Sequence, residues 1–386
     1  MKIAILTTDS REHYKRYGES HPSFGTAPEA LLEGFRGIGN AQFHIISCTQ
    51  VAMKSPARIA EHIYFHSLHV PKFGWLRTGY FGCIRAVRRK LKEIQPDFVH
   101  GQGTERDCAI SAVFSGFPNV LTLHGNMVDV ARVLTSPPFS YHWLAARLET
   151  FALRRTSGVF CNSAYTEKLV LPRAKKTWRV PNAVRAEFFQ TPFHPPKREE
   201  CVILNVGVVC EYKQQFKLLE LARRMHERHL PIHFLFLGSV SPETSYGRAF
   251  LGGMKHAEAA GYASYAGFKS LNDLIKVYDE SAALIHTSTS ESFGLVVAEA
   301  LSRNLKFFGT RVGGVPDIAE SVEGAALFED GDWTALENSI ANWHKSGWPR
   351  PKSAAASMAE RYRPEIIAAK HLEIYRELLR TEPAAP

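Results

Sequence analysis

The segment Thr287–Leu301, with the sequence TSTSESFGLVVAEAL, holds the residues of this chain best suited to bind a polar ligand. Glu291 and Glu299 lie eight positions apart, and Gly294 stands between them, where a loop would turn into a helix. An ionised carboxylate accepts hydrogen bonds from hydroxyl groups. The first turn of a helix offers free N–H groups and a positive dipole end, which favour a phosphate. The spacing therefore suits a ligand that carries hydroxyl groups on both sides of a phosphate group.

The residues before this segment predict the element that would position it. Ala282–His286 has the character of a short buried strand, and Thr287–Ser290 that of a small polar turn. The order strand, turn, glycine, helix places ligands at the carboxyl end of a parallel sheet. Two glutamates at this spacing are by themselves more often solvated surface charges, so the interpretation depends on this context.

The chain has 386 residues, which is long enough for two domains. It contains no apolar run of the roughly 18 residues that a membrane-spanning helix needs. The N-terminal sequence MKIAILTTDS predicts a first buried strand rather than a signal peptide, because charged residues follow it at once. The cysteines form no C-x-x-C pair, which favours reduced core thiols in a cytoplasmic protein. They are Cys48, Cys83, Cys108, Cys161, Cys201 and Cys210.

The net charge of +9 is unevenly distributed along the chain. Residues 1–192 hold 25 basic and 14 acidic side chains, whereas the remainder holds 22 and 24. The densest basic run is Arg85–Lys92, and its apolar neighbours recur at helical spacing. The run predicts a helix whose polar face is either simply solvated or in contact with an anionic membrane or a phosphorylated lipid. The basic residues assigned to that contact are Arg85, Arg88, Arg89 and Lys90. No nucleic-acid-binding motif is present.

Strand-like and helix-like segments alternate along the whole chain, with six predicted strands before residue 190 and five after residue 200. This alternation indicates an α/β fold of parallel sheets covered on both faces. The polar, proline-bearing stretch Thr191–Glu200 is the predicted linker. We expect two doubly wound Rossmann-like domains that face a cleft. The first covers residues 1–190 and the second residues 200–355, with a last helix at about 360–382 that returns to the first domain. Neither half opens with a dinucleotide-binding or phosphate-loop motif, which disfavours a dehydrogenase or a nucleotide hydrolase.

Several segments, taken in order, resemble the retaining family 4 glycosyltransferases, which use nucleotide sugars and have the two-domain B-type fold. The resemblance runs almost end to end. The segments that carry it are Phe24–Phe35, Pro96–Gln102, Val180–Phe189, Asn205–Gln214, Tyr265–Phe268, Thr287–Leu301, Gly309–Ile318 and Tyr362–Leu379.

The resemblance implies that the first domain binds the acceptor and the second domain the nucleotide-sugar donor. It also implies roles for individual residues of the second half. Glu291 would bind hydroxyls of the donor sugar, and Glu299 would bind those of the ribose. Lys213 would neutralise the leaving diphosphate, where charge builds up as the glycosidic bond breaks. The donor-binding residues implied are Gly25, Thr26, Gly207, Lys213, Phe268, Glu291, Ser292, Phe293, Gly294, Leu295 and Glu299.

The first half would contribute a catalytic histidine. His124 ends the sequence VLTLH and resembles a histidine that contacts the donor sugar, and the implied catalytic set is therefore His124, Lys213 and Glu291. An ordinary structural, hydrogen-bonding histidine is the alternative. Gly25 and Thr26 stand where the family has two glycines, so only the first glycine carries over.

Two features concern how the diphosphate is neutralised. Val208 occupies the position of a family arginine, and Arg311 is a candidate replacement, although a surface position suits Arg311 equally well. We expect no metal and no cofactor other than the nucleotide-sugar co-substrate. The one D-x-D motif, Asp330–Asp332, predicts a polar turn outside the donor site.

The resulting prediction is an enzyme that moves a sugar from a UDP- or GDP-sugar to an acceptor hydroxyl with retention of configuration. The acceptor would be a glycan or a lipid-linked molecule. The enzyme would be cytoplasmic, with possible attachment to the inner face of the membrane. The alternatives are a nucleotide-sugar epimerase or a phosphorylase on the same fold, and a catalytically weak sugar-nucleotide-binding subunit, which Val208 motivates.

Overall fold

The structure, a computed structural model, describes residues 1–193 and 200–381. These residues form two compact units. Unit 1 comprises Met1–Arg185 and the chain from Arg363 onward, and unit 2 comprises Ala186–Tyr362. None of the helices in the described part of the chain is long and apolar enough to cross a membrane.

Strands alternate with helices in both units. The strands are β1 (Lys2–Leu6), β2 (Gln42–Thr49), β3 (Arg58–Ala60), β4 (Ile63–His69), β5 (Phe98–Gln102), β6 (Asn119–Leu123), β7 (Gly158–Cys161), β8 (Thr177–Arg179), β9 (Cys201–Val206), β10 (Ile232–Leu237), β11 (Ala263–Tyr265), β12 (Ala283–His286), β13 (Lys306–Thr310) and β14 (Ala325–Phe328). The helices are α1 (Ser10–His13), α2 (Thr26–Arg36), α3 (Phe81–Ile94), α4 (Asp107–Val113), α5 (Met127–Val133), α6 (Tyr141–Leu153), α7 (Ala164–Val170), α8 (Glu187–Gln190), α9 (Gln215–Glu227), α10 (Ser245–Ala259), α11 (Leu271–Glu280), α12 (Leu295–Ser302), α13 (Val315–Ala319), α14 (Trp333–Lys345), α15 (Ala354–Tyr362) and α16 (Pro364–Thr381).

The sheet of unit 1 has the order β3-β4-β2-β1-β5-β6-β7-β8, and every neighbouring pair is parallel except β3 with β4. Helices α3, α4 and α6 cover one face, and α2 and α16 cover the other. Helix α16 approaches α2 so closely that a Cβ atom at Gly34 would lie 2.1 Å from the carbonyl oxygen of Pro364. The last helix therefore completes the core of unit 1, as the sequence predicts.

The sheet of unit 2 is entirely parallel, with the order β11-β10-β9-β12-β13-β14. In unit 2, successive strands are added in one direction from β9 and in the opposite direction from its neighbour β12. In unit 1 the same reversal occurs between β1 and β5. Such switch points leave a crevice at the carboxyl ends of the two central strands, where ligands of α/β sheets bind. The two doubly wound α/β units confirm the predicted fold class.

All eleven predicted strands are present, but the sequence prediction missed β3, β4 and β14. Two histidines and a serine interrupt the apolar run of β4, and β14 is a half-buried edge strand of only four residues. The first compact unit ends at Arg185. The residues that follow belong to unit 2, where Arg303 pairs with Asp279 at 2.6 Å and donates hydrogen bonds to the carbonyl groups of residues 188, 191 and 192. Residues 194–199 of the predicted linker lie outside the described residues.

Candidate functional site

A lysine, a glutamate and a histidine meet at the switch point of unit 2. Lys213 follows β9, His286 ends β12, and Glu291 lies in the loop between β12 and α12. The Lys213 Nζ atom is 2.5 Å from Oε2 of Glu291, and the His286 Nε2 atom is 3.3 Å from the same oxygen. We call these three residues the ionic cluster. The structure thus brings together Lys213 and Glu291, which are 78 positions apart in the chain.

The Lys213 loop is fixed by hydrogen bonds to the loop that carries Glu291. The Thr289 N–H donates to the Tyr212 carbonyl group at 2.8 Å, and the Thr287 hydroxyl donates to that of Lys213 at 3.4 Å. Gln214 then takes a left-handed conformation, with φ +57°, before α9 begins. The family resemblance places a glycine at this position, which fits the observed backbone. These hydrogen bonds join the two loops and thereby set the position of Lys213.

The backbone of Glu291 is held from its other side by Gly313 and Gly314. The Gly314 N–H donates to the Glu291 carbonyl group at 2.9 Å. A Cβ atom at Gly313, whose φ is +54°, would lie 1.6 Å from that carbonyl oxygen. Only glycine permits both this conformation and this close approach. The GG pair of the segment Gly309–Ile318 thus positions the glutamate, a role that the sequence pattern alone does not reveal.

The electrostatics of the ionic cluster keep Glu291 ionised. Burial by itself raises the pKa of Glu291, but His286 and Lys213 outweigh it and hold the pKa well below its ordinary value. Burial and the nearby Lys213 lower the pKa of His286, so this histidine is neutral at pH 7. The cluster therefore presents an ammonium group, a carboxylate that can only accept hydrogen bonds, and a neutral imidazole.

The glycine between the two glutamates forms the predicted turn. Gly294 has φ +99° and caps α12, which begins at Leu295. Phe293 is buried and packs edge to face on Tyr362, at 5.7 Å between ring centroids. The first amide of α12, that of Leu295, therefore lies four residues after Glu291. Phosphate binding at this helix end stays a prediction.

Glu299 lies inside unit 2. Only 3% of the residue is exposed, and the hydroxyl group of the buried Tyr278 donates to its Oε2 atom at 3.4 Å. Ser302 donates to its backbone carbonyl group at 2.6 Å, which anchors the end of α12. The ribose contact of Glu299 stays a prediction.

Other predicted residues lie outside the ionic cluster. Val208 is 56% exposed, and its carbonyl group accepts a hydrogen bond from Gln215 at 2.9 Å. Arg311 pairs with Glu320 and lies 3.4 Å from Glu329, so it does not replace the family arginine within the cluster. Phe268 is also exposed, at 81%.

The remaining predicted residues of unit 2 lie in the loops around the cluster. Gly207 directly follows β9 and packs against Gly238, where a Cβ atom would lie 1.9 Å from the Gly207 carbonyl oxygen. Ser292 lies between Glu291 and Phe293, ahead of α12. In the D-x-D motif, Asp332 caps α14, and Asp330 accepts a hydrogen bond at 3.0 Å from Gln214, the neighbour of Lys213.

In unit 1, strands β5 and β6, next to the switch point, carry a chain of uncharged polar groups instead. His124 donates from Nε2 to the Gln102 side-chain oxygen at 2.9 Å, and the Gln102 amide donates to Nε2 of His100 at 3.3 Å. His100 in turn hydrogen-bonds through Nδ1 to the hydroxyl group of Tyr375 on α16. We call these four residues the neutral chain. Gln102, which stands where the family has a second histidine, connects the two histidines.

Burial keeps the histidines of this region unprotonated. Burial lowers the pKa of His124 to about 4, although the Asn182 side chain opposes the shift. Burial also lowers the pKa of His371, which stacks near His100, to about 4. Burial and His371 hold the pKa of His100 well below its ordinary value. His124 is therefore a neutral hydrogen-bonding group at pH 7, which fits a polar contact to a sugar better than an ionic one.

Gly25 and Thr26 begin helix α2. Gly25 is the residue before the first helical turn, with φ −63°, and both residues are exposed. A Cβ atom at Gly25 would meet only Pro28, at 3.7 Å. The structure thus places them at an accessible helix end, and their contact with the donor stays a prediction.

A cavity of about 390 Å³ opens on unit 1 beside the carboxyl ends of β1, β2 and β5. Arg106 lies in its wall, 3.2 Å from Glu12 and 4.7 Å above the Trp75 ring. The lining residues are Glu12, His13, Tyr17, Gln50, Val51, Trp75, Leu76, Tyr80, Arg106 and Tyr141. Aromatic rings with a few polar groups are typical of a small-molecule site.

The cysteines are free, and five of the six are buried, as predicted. The fold nevertheless brings Cys48, Cys83 and Asp107 together, with potential ligand atoms within 4.8 Å of one another. A hydrogen bond with Cys83, and burial, raise the pKa of Cys48 well above its ordinary value. The group is therefore best described as hydrogen-bonded neutral thiols.

Comparison with known proteins agrees with this geometry. Residues 39–188 match the model of Glycosyltransferase Family 4, and residues 187–362 match that of Glycosyl transferases group 1. The GPI3 subunit of phosphatidylinositol N-acetylglucosaminyltransferase from Saccharomyces cerevisiae is 22% identical, over 90% of this chain and 82% of its own. N-acetyl-alpha-D-glucosaminyl L-malate synthase from Bacillus anthracis is 32% identical, over 26% of this chain and 28% of its own.

Solved structures share the fold over nearly the full length. Sucrose-phosphate synthase from Thermosynechococcus elongatus has a TM-score of 0.77 at 17% identity, covering 99% of this chain and 100% of its own. HepE from Anabaena, in complex with UDP-glucose, has a TM-score of 0.72 at 16% identity, covering 98% and 100%. The two doubly wound units define the B-type glycosyltransferase fold. The chain belongs to glycosyltransferase family 4.

Proposed function

We propose that this glycosyltransferase moves a sugar from a UDP- or GDP-sugar to an acceptor hydroxyl, with retention of configuration and without a metal ion. The observation that carries the proposal is the ionic cluster of Lys213, His286 and Glu291 at the switch point of unit 2. A cation and a carboxylate side by side match a ligand whose diphosphate is anionic and whose sugar carries hydroxyl groups. Complexes of structural neighbours with UDP and UDP-glucose favour a uridine donor.

The ionic cluster can act on the donor in two ways. Lys213 neutralises negative charge on the leaving diphosphate, and this interaction is strongest when the glycosidic bond is breaking. The N-terminal amides of α12 add partial positive charge in the role that a metal plays elsewhere. Glu291 exchanges part of its interaction with Lys213 for hydrogen bonds from sugar hydroxyls. The diphosphate oxygen then accepts the acceptor proton on the same face, which retains the configuration.

The acceptor would occupy the 390 Å³ cavity of unit 1, in line with the role expected for the first domain. The name of one relative specifies phosphatidylinositol, which supports a lipid-linked acceptor, and that of another specifies L-malate, a soluble one. We favour the lipid-linked acceptor, at the inner face of a membrane.

The decisive experiment compares Lys213→Ala with Lys217→Ala in an assay of nucleoside diphosphate release, using UDP- and GDP-sugars with and without acceptor. Lys217 is an exposed lysine on α9 and serves as the matched control. We expect Lys213→Ala to lower the rate by about 10²–10³-fold, and Lys217→Ala to leave it unchanged. Equal rates for both variants and the wild type would contradict the proposal.

The catalytically weak binding subunit is the second candidate, and the exposed Val208 favours it because no guanidinium group stands there. The same assay separates the two functions. Tight binding of UDP measured by calorimetry, without turnover of any donor, would support the binding subunit. Release of diphosphate with formation of a glycoside supports the transferase, and NMR of the anomeric proton reports retention.

A further inference from the structure

Two phenylalanines of unit 1 are held in solvent by a rigid turn. Phe73 is 85% exposed, and Phe81, at the start of α3, is 65% exposed. Each is followed by a glycine, and the two glycines pack against each other, since a Cβ atom on Gly82 would lie 2.7 Å from the Gly74 Cα atom. This contact leaves no room for a side chain at either glycine. The backbone segments that carry Phe73 and Phe81 therefore lie next to each other.

A buried hydrogen bond and two left-handed residues fix the conformation of this turn. Trp75 is buried and donates from Nε1 to the Val70 carbonyl group at 2.9 Å. Gly79 and Tyr80 both take left-handed conformations, with φ of +60° and +63°, which reverse the chain into α3. A left-handed tyrosine is uncommon, because its Cβ atom crowds the backbone. The exposed aromatic pair is thus a fixed feature of the fold rather than the tip of a loose loop.

Helix α3 continues this surface with positive charge. Its exposed side carries Phe81, Arg85, Arg88 and Lys92, at spacings of four, three and four residues that place them along one stripe. Cys83, Val87 and Leu91 on its other side are buried in the core. Within the described part of the chain, no carboxylate forms an ion pair with Arg85, Arg88 or Lys92.

Not all of the basic residues predicted to contact a membrane share this stripe. Lys90 is half-buried and pairs with Glu93, so it contributes little free charge. Arg89 is exposed beside the stripe. We define the docking surface as Phe73, Phe81, Arg85, Arg88 and Lys92.

We propose that this docking surface binds an anionic lipid bilayer, with the two phenylalanines inserted at the headgroup level and the basic stripe lying against lipid phosphates. Aromatic residues with adjoining cations are the combination that favours such an interface. The cavity of unit 1 adds a second argument, because Trp75, Leu76 and Tyr80 of the same segment line it. Resting on the proposed transferase function, the inference specifies the acceptor as a molecule carried by the bilayer.

The test is co-sedimentation of the full-length protein with vesicles of phosphatidylcholine containing 30% phosphatidylglycerol, compared with pure phosphatidylcholine. We expect at least tenfold stronger partitioning to the anionic vesicles, weakened by salt because the charges are screened. Phe73→Ser with Phe81→Ser, and separately Arg85→Gln with Arg88→Gln, are each expected to reduce partitioning at least tenfold. UDP binding, measured in parallel, stays at the wild-type level in both double variants.

Two matched controls keep the experiment decisive. Arg36→Gln with Arg376→Gln removes the same charge from α2 and α16, on the opposite face of the sheet, and Phe139→Ser removes a phenylalanine that is 79% exposed. Both controls are expected to bind vesicles like the wild type.

Equal losses in controls and test variants would overturn the proposal. Equal sedimentation of the wild type with anionic and with pure phosphatidylcholine vesicles would also overturn it. A change of oligomeric state in the test variants without vesicle binding would assign the surface to a protein partner instead. Loss of transfer in Lys213→Ala with unchanged sedimentation separates this proposal from the proposed function.

Discussion

Both units carry polar side chains along two neighbouring central strands, but the chemistry of these side chains is opposite in the two units. In unit 2 the carboxyl ends of β9 and β12 hold the ionic cluster, with Lys213 2.5 Å from Glu291. In unit 1 the ends of β5 and β6 hold the neutral chain, in which Gln102 joins two histidines. Both pairs of strands are parallel, so the difference in chemistry arises from a few loop and strand residues.

This difference shows what each site can recognise. A charged site can neutralise a diphosphate, and in the absence of the ligand its lysine and carboxylate compensate each other. The neutral chain offers directional hydrogen bonds without a net charge, which suits hydroxyl groups. Its histidines are buried, so protonating them would cost free energy. The contrast agrees with the general rule that function lies in sites placed on folds rather than in the folds themselves.

The largest expected effect is a loss of unfolding free energy at acid pH. This loss tests whether the histidines of unit 1 are neutral. The unfolded chain protonates histidine below pH 6.5, whereas folded His124 and His371 resist protonation until about pH 4. Their contribution to stability is therefore complete above pH 6.5 and is lost as the pH falls towards 4, by about 2–3 kcal/mol for each. Urea unfolding between pH 7 and pH 4.5 should show this decline.

The variant His371→Gln isolates one of these contributions. We expect a shallower loss of unfolding free energy between pH 6.5 and 4.5 than in the wild type, since one fewer proton is taken up on unfolding. His21→Gln, at an exposed position, is the control and should follow the wild-type profile. Identical slopes for His371→Gln and the wild type would contradict the assignment of a neutral, buried histidine.

A substitution at Gly313 should disturb the ionic cluster through the backbone of Glu291. Gly313→Ala would place a methyl group 1.6 Å from the Glu291 carbonyl oxygen, and we expect it to cost roughly 3 kcal/mol of unfolding free energy and to weaken UDP binding. Gly347→Ala is the matched control, because its φ is +83° but no atom lies within 4 Å of the added methyl group. The control should cost about 1 kcal/mol, with UDP binding unchanged. Similar costs for the two variants would show that Gly313 does not hold Glu291.

The smallest expected effect is a gain in UDP affinity when positive charge is added to the site in unit 2. Val208→Arg adds a guanidinium group at the exposed position where the family has one, and we expect about tenfold tighter UDP binding, measured by calorimetry. High salt should reduce this gain. Val208→Met adds length without charge and should bind UDP like the wild type. A Val208→Arg variant with wild-type affinity would place the diphosphate away from this loop.

The sequence predicts the architecture well because buried parallel strands leave continuous apolar runs, as in Ala283–His286. It also predicts the turn at Gly294 and the partnership of Lys213 with the Glu291 segment, through an ordered series of motifs. It does not predict that His286 contacts Glu291, because a strand-end histidine carries no spacing signal of its own. The roles of Gly313 and Gln102 depend on contacts between distant segments, which a local pattern does not contain.

The closing helix has a consequence for how the chain is made. His100 and Tyr375 are hydrogen-bonded across 275 positions, and Gly34 receives α16 in direct backbone contact. During synthesis unit 1 emerges first, yet its core stays open until α16 leaves the ribosome, by which time unit 2 is complete. Contacts of such long range are slow to form, and an open apolar face is prone to aggregation. We therefore expect the second unit to mature before the first, so that the emerging α2 face is where a chaperone would be most needed.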